Sequence, residues 1–125
     1  MRCSLAVSSM LLAGAVLIGC GGVEEGFSGA PLDERVGDLS DDDMRKLCAW
    51  GAQRQGGENA MFDCGDGVSV TIDTVDECVE EQTDYAFCDA TVQQMEQCVI
   101  DAGPNPCNAL TTPACEPLYP CWFGV

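Results

Sequence analysis

Residues 61–79 read MFDCGDGVSVTIDTVDECV, and two periodicities meet in them. Val68, Val70 and Ile72 alternate with Ser69 and Thr71, the period-two pattern of a half-buried strand. Gly65-Asp66-Gly67 just before them can supply the positive φ of a tight turn. Segments 61–64 and 68–72 are therefore expected to pair as a β-hairpin. From Thr74 the period changes. Val75, Cys78 and Val79 fall on one side of a helix and Asp76, Glu77, Glu80 and Glu81 on the other, which predicts a helix over 75–82. A hairpin followed at once by a helix, each carrying a cysteine, marks a small disulfide-rich α+β domain.

Upstream, Ser40 is a good N-cap and Asp41, Asp42 and Asp43 fill the first turn, where acids complement the helix dipole. The helix they open places Met44, Leu47, Cys48 and Gly51 on one face, with Trp50 at its edge, and ends at Gly56-Gly57. Asp42 and Lys46 stand at i,i+4 in the favourable order. Downstream, Thr91 caps a helix over 92–102. Its inner face is Val92, Met95, Cys98, Val99 and Ala102, and Gly103-Pro104 stops it. Beyond it Pro104, Pro106, Pro113, Pro117 and Pro120 predict loops and single turns pinned by Cys107, Cys115 and Cys121. The architecture expected is thus about three short helices, one hairpin and a loop-rich C-terminus. Trp122-Phe123 is expected to cap the small core beside Cys121 rather than to stand out as an anchor for a partner.

The globular domain is placed at 40–125, where eight cysteines lie: Cys48, Cys64, Cys78, Cys88, Cys98, Cys107, Cys115 and Cys121. An even number in so short a segment predicts four disulfides. Zinc and iron–sulfur sites need closely spaced pairs, and the tightest gap here, Cys115 to Cys121, leaves five residues between. No C-x-x-C redox motif is present. Eight cysteines allow roughly a hundred pairings. Cys64–Cys78, hairpin to following helix, is the one pairing singled out.

The first 19 residues resemble the signal peptide of bacterial lipoprotein precursors. Arg2 gives a positive start, 5–18 is an uncharged stretch too short to span a bilayer, and Leu17-Ile18-Gly19-Cys20 fits a lipobox. That resemblance implies cleavage before Cys20, a lipid on its thiol and an acylated amine, so Cys20 is the expected membrane contact. It also implies a cell-envelope location, the outer membrane in preference to the inner. Segment 20–39 is Gly-rich and acidic with no period, and it reads as the lipidated cysteine followed by a flexible tether. Phe27 and Leu32 are expected to be solvated there. From Cys48 onward Leu47-Cys48-Ala49-Trp50, Cys64-Gly65-Asp66-Gly67, Glu77-Cys78-Val79, 90–99 and Pro113-Ala114-Cys115-Glu116-Pro117-Leu118 resemble a family of uncharacterised cysteine-rich lipoproteins of myxobacteria. The resemblance implies a secreted, lipid-anchored domain and carries no catalytic motif.

Charge bounds the function. Asp and Glu number 21 against 5 Lys and Arg, a net charge of −16, and there is no histidine. Binding to nucleic-acid phosphates is excluded, because it needs basic side chains. Mechanisms that need imidazole are excluded as well. After Arg54 there are 13 acids and no basic residue. Asp63, Asp66 and Asp73 bracket the hairpin turn and Asp76, Glu77, Glu80 and Glu81 line the following helix, so these seven are the candidate cation-binding residues. Ca²⁺ would suit such oxygen ligands, although the EF-hand spacing is lacking. The reading is a non-enzymatic, monomeric binding or structural module with no cofactor and no assigned catalytic residue. The acidic surface reads as a solvated face that keeps the protein soluble, with uptake of a cation or a basic protein partner as the alternative. A small secreted hydrolase or inhibitor-like effector is the alternative.

Overall fold

The structure, a computed structural model, describes residues 24–124. The signal peptide, Cys20 and the first residues of the expected tether lie outside them. Helix α1 (Asp41–Arg54) opens at Ser40, whose side chain accepts from the Asp43 N–H, and buries Met44, Leu47, Cys48 and Ala52. Strands β1 (Met61–Gly65) and β2 (Val68–Thr71) form an antiparallel hairpin in which Met61 faces Thr71 and Asp63 faces Ser69. The register shifts between Asp63 and Gly65, and Gly65, Asp66 and Gly67 all take positive φ at the turn. Helix α2 (Val75–Glu80) continues into a 3-10 helix, Glu81–Phe87. Helix α3 (Val92–Ala102) follows, closed by Gly103 at φ 76°. Two 3-10 helices, Pro106–Thr111 and Pro113–Leu118, lead into the short α4 (Tyr119–Phe123). The prolines produce single turns, as their fixed φ favours, and the last of these extends into α4.

Helices α2 and α3 both begin with a capping box. Thr74 and Glu77 exchange bonds at the first, Thr91 and Gln94 at the second. This pattern satisfies two orphan N–H groups at once.

Among the described residues there are four disulfides: Cys48–Cys78, Cys64–Cys107, Cys88–Cys121 and Cys98–Cys115. The expected Cys64–Cys78 bond is not among them. Cys78 lies on the face of α2 turned to α1 and joins Cys48, while Cys64 reaches forward to the Pro106–Thr111 turn. Strand β1 contacts the Pro106–Thr111 turn and α2 contacts α1, so adjacency in sequence is a poor guide to adjacency of the two sulfurs.

Residues 24–39 are not a flexible tether. Ala30 and Val36 are fully buried and Leu39 is nearly so. The backbone of this segment pairs with the entry to α3: Val36 N–H donates to Ala90 O, Val92 N–H to Glu34 O and Gln93 N–H to Leu32 O. Gln82 adds side-chain bonds to the carbonyls of Val36 (3.2 Å) and Leu39 (2.8 Å). The folded unit thus includes residues 24–39 rather than starting at Ser40. Leu32 packs against the core, and Phe27 alone of the two stays solvated, at 73% exposure.

A buried carboxylate fastens the start of this segment. Glu96 is 2% exposed on α3. It accepts from Phe27 N–H at 3.0 Å, Ser28 N–H at 2.9 Å and the Ser28 hydroxyl at 2.6 Å. A side chain at Gly26 would collide with that carboxylate, so the loop needs glycine there.

Two smaller expectations also change. Lys46 pairs with Asp43 at 2.8 Å, one helical position from the expected Asp42. On the hairpin only Ile72 is buried, with Val70 half-buried and Val68 53% exposed. A two-stranded ribbon projecting from the body covers little more than its base.

Candidate functional site

Most of the buried residues among those described fall into two clusters. One joins Ala30, Val36, Leu39, Met44, Leu47, Cys48 and Val92, and the other Cys88, Ala90, Cys98, Ala102, Cys115 and Leu118. Between them a cleft of about 300 Å³ opens to solvent. Helix α1 supplies Leu47, Trp50 and Gly51, β2 supplies Val70, α3 supplies Met95 and Val99, and α4 supplies Trp122. The wall is mainly apolar; Gln55, Asp73 and Tyr85 add polar groups. The volume sits at the low end of the range of roughly 300–1,000 Å³ found for small-molecule sites.

Gly51 is the telling residue of the wall. It stands in the middle of α1, where glycine costs about 1 kcal/mol relative to alanine. A Cβ added there would meet nothing within 4 Å. The position is not crowded, and Gly51 forms part of the cleft wall without a side chain.

Tyr85 comes from the 3-10 helix after α2 and packs against both clusters. Burial raises its hydroxyl pKa, the Trp122 indole against it lowers it, and the carboxylates of Glu81, Asp73 and Asp84 raise it further. Glu81 itself is held above the usual carboxylate range. Partial burial is the main cause, followed by repulsion from Asp73, Asp84 and Glu77. Asp73 lies with Tyr85 on the cleft wall, and Glu81 stands near enough for the two carboxylates to repel each other.

The seven acids proposed for cation binding are dispersed. The Asp63 carboxylate accepts from Gly65 N–H at 2.9 Å and Asp66 sits at the hairpin tip. Asp76 pairs with Arg45 at 2.7 Å. Glu77 is engaged by the Thr74 N–H and hydroxyl, and those bonds hold its pKa below the ordinary value. Glu80 is exposed on α2. Only Asp73 and Glu81 come together. Among the described residues no group of three or more Cys, Asp or Glu is placed to hold a metal ion, so the seven form no cage for Ca²⁺.

The C-terminal aromatics also depart from expectation. Trp122 lines the cleft at 36% exposure, but Phe123 is 57% exposed and meets Trp122 edge-on at 6.5 Å between ring centroids. Tyr119 completes the group. The pair therefore does not cap a core; its first member walls a cleft. The sequence carried one signal of that cleft, the glycine inside an otherwise well-formed helix. Trp122 and Met95 reach it only through tertiary packing.

Among the described residues no helix is long and apolar enough to cross a membrane. Compared with known proteins, the chain matches no protein-family model, no curated protein and no solved structure.

Proposed function

We propose that the protein is an exported, lipid-anchored, non-enzymatic binding module, and that it binds a small organic molecule in the cleft between its two clusters. The cleft carries the reading: about 300 Å³ of space behind a mainly apolar wall that includes Gly51 in mid-helix. The chain's chemistry supports the non-enzymatic part. The eight cysteines of the domain are bridged, histidine is absent, and Asp73, the acid on the cleft wall, is solvent-exposed. The anchor rests on the lipobox Leu17-Ile18-Gly19-Cys20.

Two measurements test this. Mass spectrometry of the membrane-extracted protein is expected to find an acylated peptide beginning at Cys20, and Cys20→Ser to release the protein from membranes. A mature N-terminus elsewhere rejects the anchor. For the cleft, compounds that raise the melting temperature of the native protein are expected to lose that effect in Gly51→Leu, whose side chain fills the space. Compounds that stabilise both proteins equally place binding elsewhere.

A further inference from the structure

We infer that the turn carrying Phe27 is a membrane-contact face, and that Phe27 itself enters the interface of the bilayer that holds the lipid on Cys20. This rests on the reading of Cys20 as a lipid anchor.

The reach of the chain comes first. Residues 24–39 belong to the folded unit, so only 21–23 separate Cys20 from it. Glu24 is already tied in, because its carbonyl accepts from the Leu32 N–H at 3.0 Å. Four residue steps span at most about 14 Å even when fully extended. That is about half the roughly 30 Å diameter of a small domain. With Cys20 held at the headgroup level, the side of the body around Glu24 is the side turned to the bilayer.

The turn beside Glu24 suits that place. Glu25 and Pro31 pair across its base, and the Gly29 N–H donates to Gly26 O at 3.0 Å, which sets Phe27 and Ser28 at the tip. Every backbone N–H from Gly26 to Ala30 has an acceptor within the protein. Gly26 donates to Ala30 O, Phe27 and Ser28 to the Glu96 carboxylate, Gly29 to Gly26 O, and Ala30 to the Ser28 hydroxyl oxygen at 3.1 Å. The Ser28 hydroxyl itself donates to Glu96. A loop that relied on water for its donors would be costly to bring into an apolar layer. This one has turned its donors inward and its phenyl ring outward, at 73% exposure. Leu32 and Ile100 line a hollow together with Phe27, so apolar surface continues behind the ring. Glu24 and Glu25 are exposed on either side of the approach and set the headgroup preference. Zwitterionic lipid accepts them and anionic lipid repels them. Lys46, which feels the charge of Glu25, is already paired with Asp43 at 2.8 Å. A second copy of the chain is a poor cover for the ring, since each copy carries a net charge of −16.

The test places the acylated full chain on phosphatidylcholine vesicles whose acyl chains carry bromine near the headgroup, a contact quencher of tryptophan emission. Phe27→Trp is compared with the parent, whose Trp50 and Trp122 give the background, and with Met61→Trp on the projecting hairpin. The replaced side chains are 73% and 75% exposed, so neither variant should move the melting temperature, which serves as the folding control. Phe27→Trp is expected to add blue-shifted emission that the brominated lipid largely removes. Met61→Trp should add red emission that the lipid leaves unchanged. Phosphatidylglycerol vesicles should quench Phe27→Trp less, and stronger quenching there would overturn the role given to Glu24 and Glu25. If the protein stays on the vesicles while Phe27→Trp is unquenched, or Met61→Trp is quenched as strongly, the membrane face is wrong while the anchor stands. If Phe27→Trp is already blue-shifted without vesicles in the unlipidated Cys20→Ser chain, a second copy covers the turn and the membrane face is again wrong. If the purified chain carries no lipid and does not sediment with vesicles, the anchor reading falls and this inference falls with it.

Discussion

The two buried clusters are held together by different physics. The first is built from Val36, Leu39, Met44, Leu47 and Val92, side chains whose burial stabilises by about 1.5–3 kcal/mol each. The second contains one large aliphatic side chain, Leu118; the rest are alanines and the half-cystines Cys88, Cys98 and Cys115. Its stabilisation comes from constraint of the unfolded chain, since two of the four disulfides, Cys88–Cys121 and Cys98–Cys115, lie in or against it. A cluster so poor in large side chains cannot extend to meet its neighbour. The cleft lies at the seam where the apolar core stops and the covalent one begins.

The comparison breaks most visibly at the N-terminal segment. Ala30, Val36 and Leu39 belong to the first cluster, and the 31–36 backbone is bonded to the start of α3. A chain beginning at Ser40 loses these apolar groups and leaves the N–H of Val92 and Gln93 without partners. The expected loss is about 5 kcal/mol or more, comparable to the whole stability of a small domain. The truncated chain should therefore show no cooperative melting. A sharp transition near that of the full chain would mean that the first cluster does not need the segment.

Removing one disulfide from each cluster sharpens the contrast. Cys48–Cys78 closes 30 residues and Cys98–Cys115 closes 17. Chain entropy alone makes the longer loop worth about 0.5 kcal/mol more. Packing opposes this: Cys98 and Cys115 are 2% and 0% exposed, and there is little beside them to fill the space of two sulfurs. Packing is the larger effect. The paired Cys98→Ala/Cys115→Ala variant is expected to lose about 3–5 kcal/mol and the Cys48→Ala/Cys78→Ala variant about 2–3. Denaturant midpoints of the two variants decide the order, and the reverse order would show that loop length governs both clusters.

The next effect tests a polar fastening of the apolar cluster. Glu96→Ala leaves the N–H groups of Phe27 and Ser28 and the Ser28 hydroxyl without their acceptor. Hydrogen bonds to a charged group contribute about 1.5–3 kcal/mol, so the loss is expected at about 2–4 kcal/mol, with Glu96→Gln intermediate. Amide hydrogen exchange should show Phe27 and Ser28 losing protection while the amides of α1 keep theirs. Unchanged protection at Phe27 and Ser28 would mean that the loop is held by Ala30 and Leu32 alone.

Elements with their own local code were legible in the sequence. Ser40 and Thr91 fixed the starts of α1 and α3, Gly65-Asp66-Gly67 fixed the turn, and the even count of eight cysteines pointed to four bonds. The N-terminal segment was illegible because it buries isolated residues, with neither a helical nor a strand period, and pairs its backbone with a distant part of the chain. One sign of it was present. Glu96 falls on the Val92–Val99 stripe of α3, and a carboxylate on a buried stripe requires donors from elsewhere. The disulfide partners and the cleft depend on how the hairpin and α4 are aimed, which no local pattern encodes. The acids misled for a related reason. Their crowding in sequence suggested a cation cage, but Asp63, Asp76 and Glu77 each complete a local turn, ion pair or cap.

The smallest effect concerns Glu81 and the acids around it. Glu81 has a pKa raised above its ordinary value by partial burial and by Asp73, Asp84 and Glu77. The folded state therefore holds this proton more tightly than the unfolded chain does. Its contribution to stability is fully present below the ordinary glutamate range and is lost as pH rises through the raised value. Glu81→Gln removes that loss. Below the ordinary glutamate range the variant and the parent should melt alike. As pH rises through the raised value the parent should fall behind, and at neutral pH the variant should stay ahead by no more than about 0.5 kcal/mol, because the side chain is exposed and solvent screens it. Added NaCl should shrink the gap at neutral pH, since repulsion between exposed carboxylates weakens as the screening length shortens. Asp63→Asn, whose carboxylate instead accepts the Gly65 N–H, should give no such gain. A Glu81→Gln variant less stable than the parent at pH 7 would show that the carboxylate makes a favourable contact that outweighs the repulsion from Asp73, Asp84 and Glu77.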